Sequence, residues 1–333
     1  MDARPSPEQR ELIDAADRLT GKLGPGAVGD LDDIERRGKL AAALEQSGWR
    51  ELRTGSIDEP LASGAEPAFV IRALARRACD TPYLGPVLAH DLLRRAGVEP
   101  DGGAVTIAVS PDLATLAVAG APALAIDAAG CTTALLLTAD GTLAQVPLTS
   151  VQVTVDLTSE VAQIPADATV TPLAGATALP AESLDAWYAL AVALTSADLV
   201  GAMEGALDLA VEYAKERRQY GAPIGSYQAV QHMLSEAKTL TEGAHSAMIH
   251  AAWAVDALSP TEARQAAAVA KAYAARAART VCETSIQVHG GIGNTWECMA
   301  HVFLRRCLLT TDLFGGDGAQ LALLASHRWG ASL

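Results

Sequence analysis

The hydrophobic period of this chain changes twice. Residues 7–98 carry apolar side chains at helical spacing, as in "LAAALEQSGW" and "AFVIRALARRACD". The segment "SPEQRELIDAADRL" begins with Ser6 as an N-cap, Pro7 at the first helical position and Glu8 in the first turn. From Ala104 to Thr171 the pattern becomes short runs rich in Val, Thr, Leu and Ile: "AVTIAVS", "ATLAVAG", "ALAIDAA", "TTALLLTAD", "LAQVPLT" and "VQVTVDL". Gly, Pro or Asp separates them, which predicts a small antiparallel barrel or sandwich. From Ala181 the helical period returns and holds to the end. "AVQHMLSEAKTLTEGAHSAM" puts Val230, Met233, Leu234, Ala237 and Leu240 on one stripe, and "EARQAAAVAKAYAARAARTVCETSIQVH" is a long helix ended by Gly290 and Gly291. The expected fold is mainly α with a small β middle domain: an N-terminal helical domain over 1–100, a shortened β domain over 101–178 and a C-terminal helical bundle over 179–333.

Half of the 333 residues are hydrophobic, enough for a sizeable core. The net charge of −14 argues against a nucleic-acid surface. The most apolar run, "LATLAVAGAPALAIDAAG", is broken by Pro122 and Asp127 and is too short to span a bilayer. No apolar signal-peptide core opens the chain, so a cytoplasmic protein is expected. The five cysteines are scattered, with no spacing that suggests a zinc site or a disulfide framework. They read as thiols in a reducing compartment.

Two stretches stand out. In "EYAKERRQYGAPIGSYQAVQHMLSEA" a helix runs into Arg217 and Arg218, breaks, and resumes after Ser226. One reading is a helix–turn–helix corner: Gly221 and Pro223 stop one helix and Ser226 caps the next. The other is a phosphate clamp, because guanidinium forks and free backbone N–H groups converge at a helix start. In "IQVHGGIGNTWE" the plain reading is a Gly-Gly helix stop with His289 packed. The functional one is a backbone left bare for a flat or phosphorylated ligand. It follows a helix and has the wrong spacing for a dinucleotide fingerprint.

Together the two stretches resemble the acyl-CoA dehydrogenase family of flavoproteins. "ERRQYGAPIGSYQAVQHMLSE" is similar to that family's Arg-x-x-aromatic-Gly…Gln segment, and "QVHGGIGNTWE…HVFLRR" to its Gln-x-x-Gly-Gly-x-Gly segment. The α, β, α order agrees too. The resemblance implies FAD as cofactor, with these stretches holding the ADP half of an FAD seated mainly in a neighbouring subunit. It places Arg217 on the pyrophosphate, Tyr220 against the cofactor, Tyr227 and Gln228 along its path, and Gln287, Gly290 and Gly291 at the adenosine end.

Catalytic family members use a glutamate to remove the substrate α-proton. One family position is the loop before the last helix, which here reads "TTDLFGGDGAQ" with Gly315 in the glutamate's place. The other falls in "WYALAVALTSADLVG", at Ala191 with Val192 beside it. Neither alanine nor glycine takes a proton. The middle zone also lacks the family's Gly-Ser-Asp loop and Trp-bearing strand. The chain therefore resembles the small, base-lacking subunit of actinobacterial heteromeric acyl-CoA dehydrogenases. That implies a homologous partner carrying the glutamate, an α2β2 heterotetramer, and an acyl-CoA substrate of the bulky, steroid side-chain kind. Two alternatives stay open. A self-sufficient homo-oligomer would use Glu297, Asp312 or Asp317 as a relocated base. A non-catalytic assembly partner would bind no flavin. The Val230–Leu240 stripe and the alanine-rich face of 265–279 read as more apolar surface than one bundle needs, which points to a second subunit.

Overall fold

The structure, a computed structural model, describes residues 4–57, 59–100 and 102–329. The N-terminal zone holds α1 (Pro7–Leu23), α2 (Ile34–Ser47), α3 (Ala65–Arg76) and α4 (Leu84–Arg95). Helix α1 starts as its sequence dictates. The Ser6 hydroxyl accepts from Gln9 N–H at 3.2 Å, and Ser6 N–H donates back to Gln9 Oε1 at 3.0 Å.

The middle zone holds β1 (Val105–Val109), β2 (Ala123–Ala125), β3 (Thr133–Leu137), β4 (Leu143–Pro147), β5 (Gln152–Val153), β6 (Glu160–Ile164) and β7 (Thr171–Pro172). They form one sheet in the order β5-β6-β2-β1-β3-β4-β7. The sheet is mixed, which corrects the antiparallel expectation: β1 and β3 run parallel, with Val105 opposite Thr133 and Ile107 opposite Leu135. A period of two fixes which face a side chain takes and leaves strand direction open. The run "ATLAVAG" also forms no strand. Its hydrogen bonds divide between β1 (Ala117 N–H to Ala108 O, 2.9 Å) and β3 (Ala119 N–H to Leu137 O, 2.8 Å), so no ladder grows on either. Strand β1 pairs with β3 through its first residues and with β2 through Ala108 and Val109. The two wings fold toward each other there, and Ala108, Ala125, Ala134, Ala144 and Ala162 share one small core.

The C-terminal zone holds α5 (Ala181–Glu216), α6 (Gln228–Ala257), α7 (Pro260–His289), α8 (Ala300–Asp312) and α9 (Asp317–Trp329). Helix α5 is the axis of the molecule, about 54 Å long at 1.5 Å per residue. Every residue from Ala189 to Met203 is buried, as expected of a helix apolar on all sides. This helix, rather than residues 113–130, carries the apolar segment long enough to cross a bilayer, and 94% of its most apolar window lies inside the fold.

Two glycines let α3 cross α5 closely. A Cβ on Gly201 would sit 2.2 Å from Arg72 O, and one on Gly205 would sit 2.3 Å from Arg76 O. The alanine face of α7 is consumed within the chain: Ala267, Ala270, Ala274, Ala277 and Ala278 are buried in the main core. On α6, Ala237 is buried and Val230, Met233, Leu234 and Leu240 are half-buried. The surplus apolar surface expected on these two helices is therefore mostly covered by the bundle itself.

Buried ion pairs lock the zones together. Arg53 reaches Asp91 at 3.2 Å and Asp256 at 3.0 Å, joining the segment after α2 to α4 and α6. Burial alone would raise the Asp91 pKa, but Arg95, Arg53 and Arg94 hold it at about 2.

Candidate functional site

The end of the bundle where α5 and α7 stop and α6 begins gathers the residues singled out in both stretches. Helix α5 stops at Glu216, and Arg217 caps it in an extended conformation. The chain then makes a two-stranded hairpin, β8 (Arg218–Gln219) and β9 (Ala222–Pro223), instead of a simple helix–helix corner. Its two turn residues, Tyr220 and Gly221, have φ of 52° and 82°. Positive φ at both positions suits the twist of a two-residue hairpin loop, and Asn-Gly is the easy sequence for it. A tyrosine there is strained. Ser226 does not cap α6. Its hydroxyl donates to Pro223 O at 2.7 Å, and α6 begins at Gln228 after Tyr227 with no side-chain cap. The Tyr227 hydroxyl donates to Gln219 O at 2.9 Å and ties the hairpin down.

The hairpin and the glycine loop belong to one patch. Ala210, Ala214 and Val288 form a small buried cluster, with Tyr213, Ile224, Val230 and Met233 packed on it. His289 is a packed residue: its ring stacks on Tyr213 at 4.5 Å, and its Nδ1–H donates to Ser285 O at 2.7 Å. Outside this cluster the patch is open. Arg217, Arg218, Gln228, Gln287, Gly290 and Gly291 are exposed, and Tyr220 is 97% exposed. Neither Arg217 nor Arg218 forms a side-chain hydrogen bond or ion pair among the described residues. Gly290 ends α7 with φ of 67° and needs glycine for its own conformation. Gly291 does not. Its φ is not positive, and an added Cβ would meet no atom within 4 Å. Gly293 is different again, because a Cβ there would sit 2.8 Å from Ile286 O.

The interior next to the expected base loop offers little room. A cavity of about 170 Å³ lies where α3, α4, the β zone, α5 and α8 meet, walled by Leu113, Asp127, Asp156, Asp198, Arg306 and Leu313 among others. Drug-sized ligands occupy pockets of roughly 300–1,000 Å³. Arg306 lines it. Its Nε donates to Asp198 at 3.0 Å, and Nη1 donates to Thr158 Oγ1 at 2.8 Å and to Cys79 O at 3.2 Å. Burial opposes the Arg306 charge, yet Asp198 and Asp156 raise its pKa above the ordinary value. Burial also raises Asp127 and Asp156, while each accepts backbone hydrogen bonds. Those of Asp127 come from Tyr83 at 2.7 Å and Gly85 at 3.3 Å. They hold the α4 start in place.

Gly315 lies in the loop between α8 and α9 with φ of 90°, and the Gln320 amide donates to its carbonyl at 3.1 Å. Phe314 just before it has φ of 60°, and its N–H donates 2.7 Å to the carbonyl of Leu113, whose own φ is 62°. This hydrogen bond joins the base loop to the segment after β1, and Leu113 and Leu313 line the cavity there. Ala191 is fully buried in α5.

None of the three substitute acids lines the cavity. Glu297 and Asp312 are exposed. Asp317 pairs with Arg276 at 2.7 Å, and that hydrogen bond lowers its pKa. The carboxylates that do line it, Asp127, Asp156 and Asp198, were missed at the sequence level. Their only signal was a lone acid inside each apolar run: "AIDAA", "VTVDL" and "TSADL".

Comparison with known proteins decides the family. The chain is 31% identical to the acyl-CoA dehydrogenase IpdE2 of Mycobacterium tuberculosis over 97% of its own length and 98% of that protein. The chain belongs to the acyl-CoA dehydrogenase family. Residues 191–328 match the family description "Acyl-CoA dehydrogenase, C-terminal domain". The acyl-CoA dehydrogenase FadE34 of Mycobacterium tuberculosis is 42% identical, over 40% of this chain and only 19% of its own length.

Among solved structures, the ChsE4–ChsE5 complex from Mycobacterium tuberculosis superposes with a TM-score of 0.81 at 23% identity, covering 100% of both chains. The Tcur3481–Tcur3483 steroid ACAD gives a TM-score of 0.79 at 21% identity, covering 96% of this chain and 97% of that one. Both share the fold. FAD is the cofactor of the family.

Proposed function

We propose that this chain is the base-lacking subunit of a two-chain acyl-CoA dehydrogenase, and that it completes the FAD site of a homologous partner. One contrast carries this reading. The interior beside Gly315 is narrowed to about 170 Å³ beside the Leu113–Phe314 hydrogen bond and crossed by the Arg306–Asp198 pair, whereas the hairpin end of the bundle is open, and its Arg217 and Arg218 have no side-chain partner among the described residues.

The open end fits the diphosphate and adenosine half of FAD. Arg217 is the donor for the pyrophosphate, reinforced by the uncapped, positive end of α6 at Gln228. Tyr220 and Tyr227 offer ring faces. Gln287 offers an amide beside the bare backbone of Gly290 and Gly291. A ligand lying against Gly291 is a reason for glycine that the chain's own packing does not provide. The interior does not fit the ring half, because 170 Å³ cannot hold a tricyclic flavin together with an acyl chain. When bound, FAD accepts the β-hydride in α,β-desaturation of an acyl-CoA. The α-proton needs a carboxylate that Gly315 and Ala191 cannot supply, so the partner provides it.

The two structural neighbours support the pairing and the substrate class: each is a two-protein assembly by name, and one is a steroid ACAD. An α2β2 assembly acting on a bulky acyl-CoA follows from this reading.

Expression with and without the partner tests it. Alone, the chain is expected to carry little FAD and no dehydrogenase activity. Co-expressed with a homologue that has the glutamate, it forms a yellow, active complex. Full turnover by the isolated chain contradicts the proposal and supports a homo-oligomer with a relocated base. A complex whose flavin content ignores Arg217 supports a non-catalytic assembly partner.

A further inference from the structure

We propose that a surface pocket between α2, α4 and the β zone binds a small organic cation with N–H donors, an alkylammonium or an amidinium, on Glu51 and His90. The pocket has a volume of about 660 Å³ and is lined by Ala41, Glu45, Arg50, Glu51, His90 and Cys131, among others. Small-molecule pockets span roughly 300–1,000 Å³. It shares no lining residue with the cavity at Arg306 and lies apart from the hairpin end.

His90 gives the first observation. It is only 8% exposed, and its Nδ1–H donates to Arg50 O at 2.8 Å, which leaves Nε2 as a bare acceptor. Nε2 has no partner among the described residues and is not sealed from solvent, so it opens on the pocket that His90 lines.

Glu51 gives the second. Its carboxylate has no hydrogen bond or ion pair among the described residues, and Oε2 is buried while Oε1 stays accessible. A carboxylate drawn out of water without a donor is costly.

The side-chain donors around them are already spent. Arg50 is the one cation among the described lining residues, and it serves other acceptors: Nη1 donates to Glu45 at 2.9 Å, Nε to Pro82 O at 3.0 Å and Nη2 to Thr81 Oγ1 at 3.4 Å. The Thr54 hydroxyl donates to Glu51 O at 2.8 Å, and the Cys131 thiol to Asp127 O at 3.7 Å. Two unmet acceptors, one of them charged, require a ligand that brings both N–H groups and positive charge. An anion would find no free side-chain donor. A metal would find too few ligands, since no group of three His, Cys, Asp or Glu able to hold one occurs among the described residues.

The test is calorimetric titration of the full chain with butane-1,4-diammonium and with benzamidinium, each compared with tetramethylammonium, all as chlorides at matched ionic strength. Tetramethylammonium carries the charge without an N–H, so it reports the general attraction of a chain of net charge −14. At least one of the two N–H cations is expected to bind and to raise the melting temperature, and tetramethylammonium to do neither. Glu51→Gln should weaken that binding roughly 10- to 150-fold, the range expected for hydrogen bonds to a charged partner. His90→Asn keeps a donor for Arg50 O and lacks Nε2, so several-fold weaker binding is expected. Should His90→Asn not fold, Glu51→Gln decides, because the Glu51 side chain holds no partner in the fold. Response to neither N–H cation, equal binding of tetramethylammonium, or unchanged binding by Glu51→Gln overturns the proposal.

Discussion

Tyr220 holds a left-handed backbone conformation in a turn where its ring touches almost nothing of its own chain. For a non-glycine residue that conformation costs about 1–2 kcal/mol. Arg217, three residues earlier, has no acceptor among the described residues. Both features serve the fold poorly and, on the proposed reading, a bound diphosphate well, so the Arg217 variants separate the two roles. In the complex, Arg217→Ala should weaken FAD binding roughly 10- to 150-fold, since a hydrogen bond to a charged group is worth ~1.5–3 kcal/mol. Unfolding stability should change by less than about 0.5 kcal/mol, as for an exposed side chain without partners. Arg217→Lys should restore binding only in part, because an ammonium cannot make the bidentate contact. Flavin fluorescence titration measures the first effect and thermal melting the second. An unchanged flavin dissociation constant for Arg217→Ala removes the clamp role. Residues of this kind are legible in sequence because each lies within a few positions of the motif that marks it. Asp198, Asp156 and Arg306 are not: they meet across more than a hundred positions, and nothing local announces the meeting.

At the level of elements, the α1 cap read true, while the Ser226 cap and the strand direction did not. Ser6 and Pro7 start α1 as their sequence says, since a cap is a contact over three residues. The hairpin after Arg217 escaped notice because Tyr-Gly is a poor signal for its turn, and the parallel β1–β3 pair escaped because alternation says nothing of direction. Helix α8 has a cap that no sequence rule offers. Lys271, fully buried on α7, donates from Nζ to Thr310 O at 2.5 Å, one of the carbonyls left over at the α8 C-terminus. Burial pushes the Lys271 pKa down to about 7, against the pull of Asp198 and Asp312.

The sign for stability follows directly. Between pH 7 and the ordinary value of 10.5 the unfolded chain holds a proton that the folded chain has lost, so stability rises with pH across that window. Wild type should gain about 2 kcal/mol of unfolding free energy from pH 7 to 9 relative to Lys271→Met, in which this linkage is absent. Urea melts of both proteins at the two pH values measure it. Parallel pH profiles would show that Lys271 keeps an ordinary pKa in the fold.

For the whole molecule, the proposed division of labour is spatial. The interior, where α3, α4, the β zone, α5 and α8 converge, keeps only about 170 Å³ beside the Arg306–Asp198 pair and the Leu113–Phe314 hydrogen bond. The far end of the bundle presents Arg217, Gln228, Gln287 and the Gly290–Gly291 backbone outward. On the proposed reading, such a chain has half of a flavin site to offer and none to occupy alone. In the proposed α2β2 assembly each FAD would have its ring in the partner and its ADP end on this chain, and the converse positions would stay empty. The direct test is flavin absorbance against total protein in the purified complex, with the two chains quantified separately. The account predicts one FAD for every two chains. A value near one FAD per chain would mean that this chain seats a flavin of its own, and would contradict the account, which rests on an interior too small for the flavin ring.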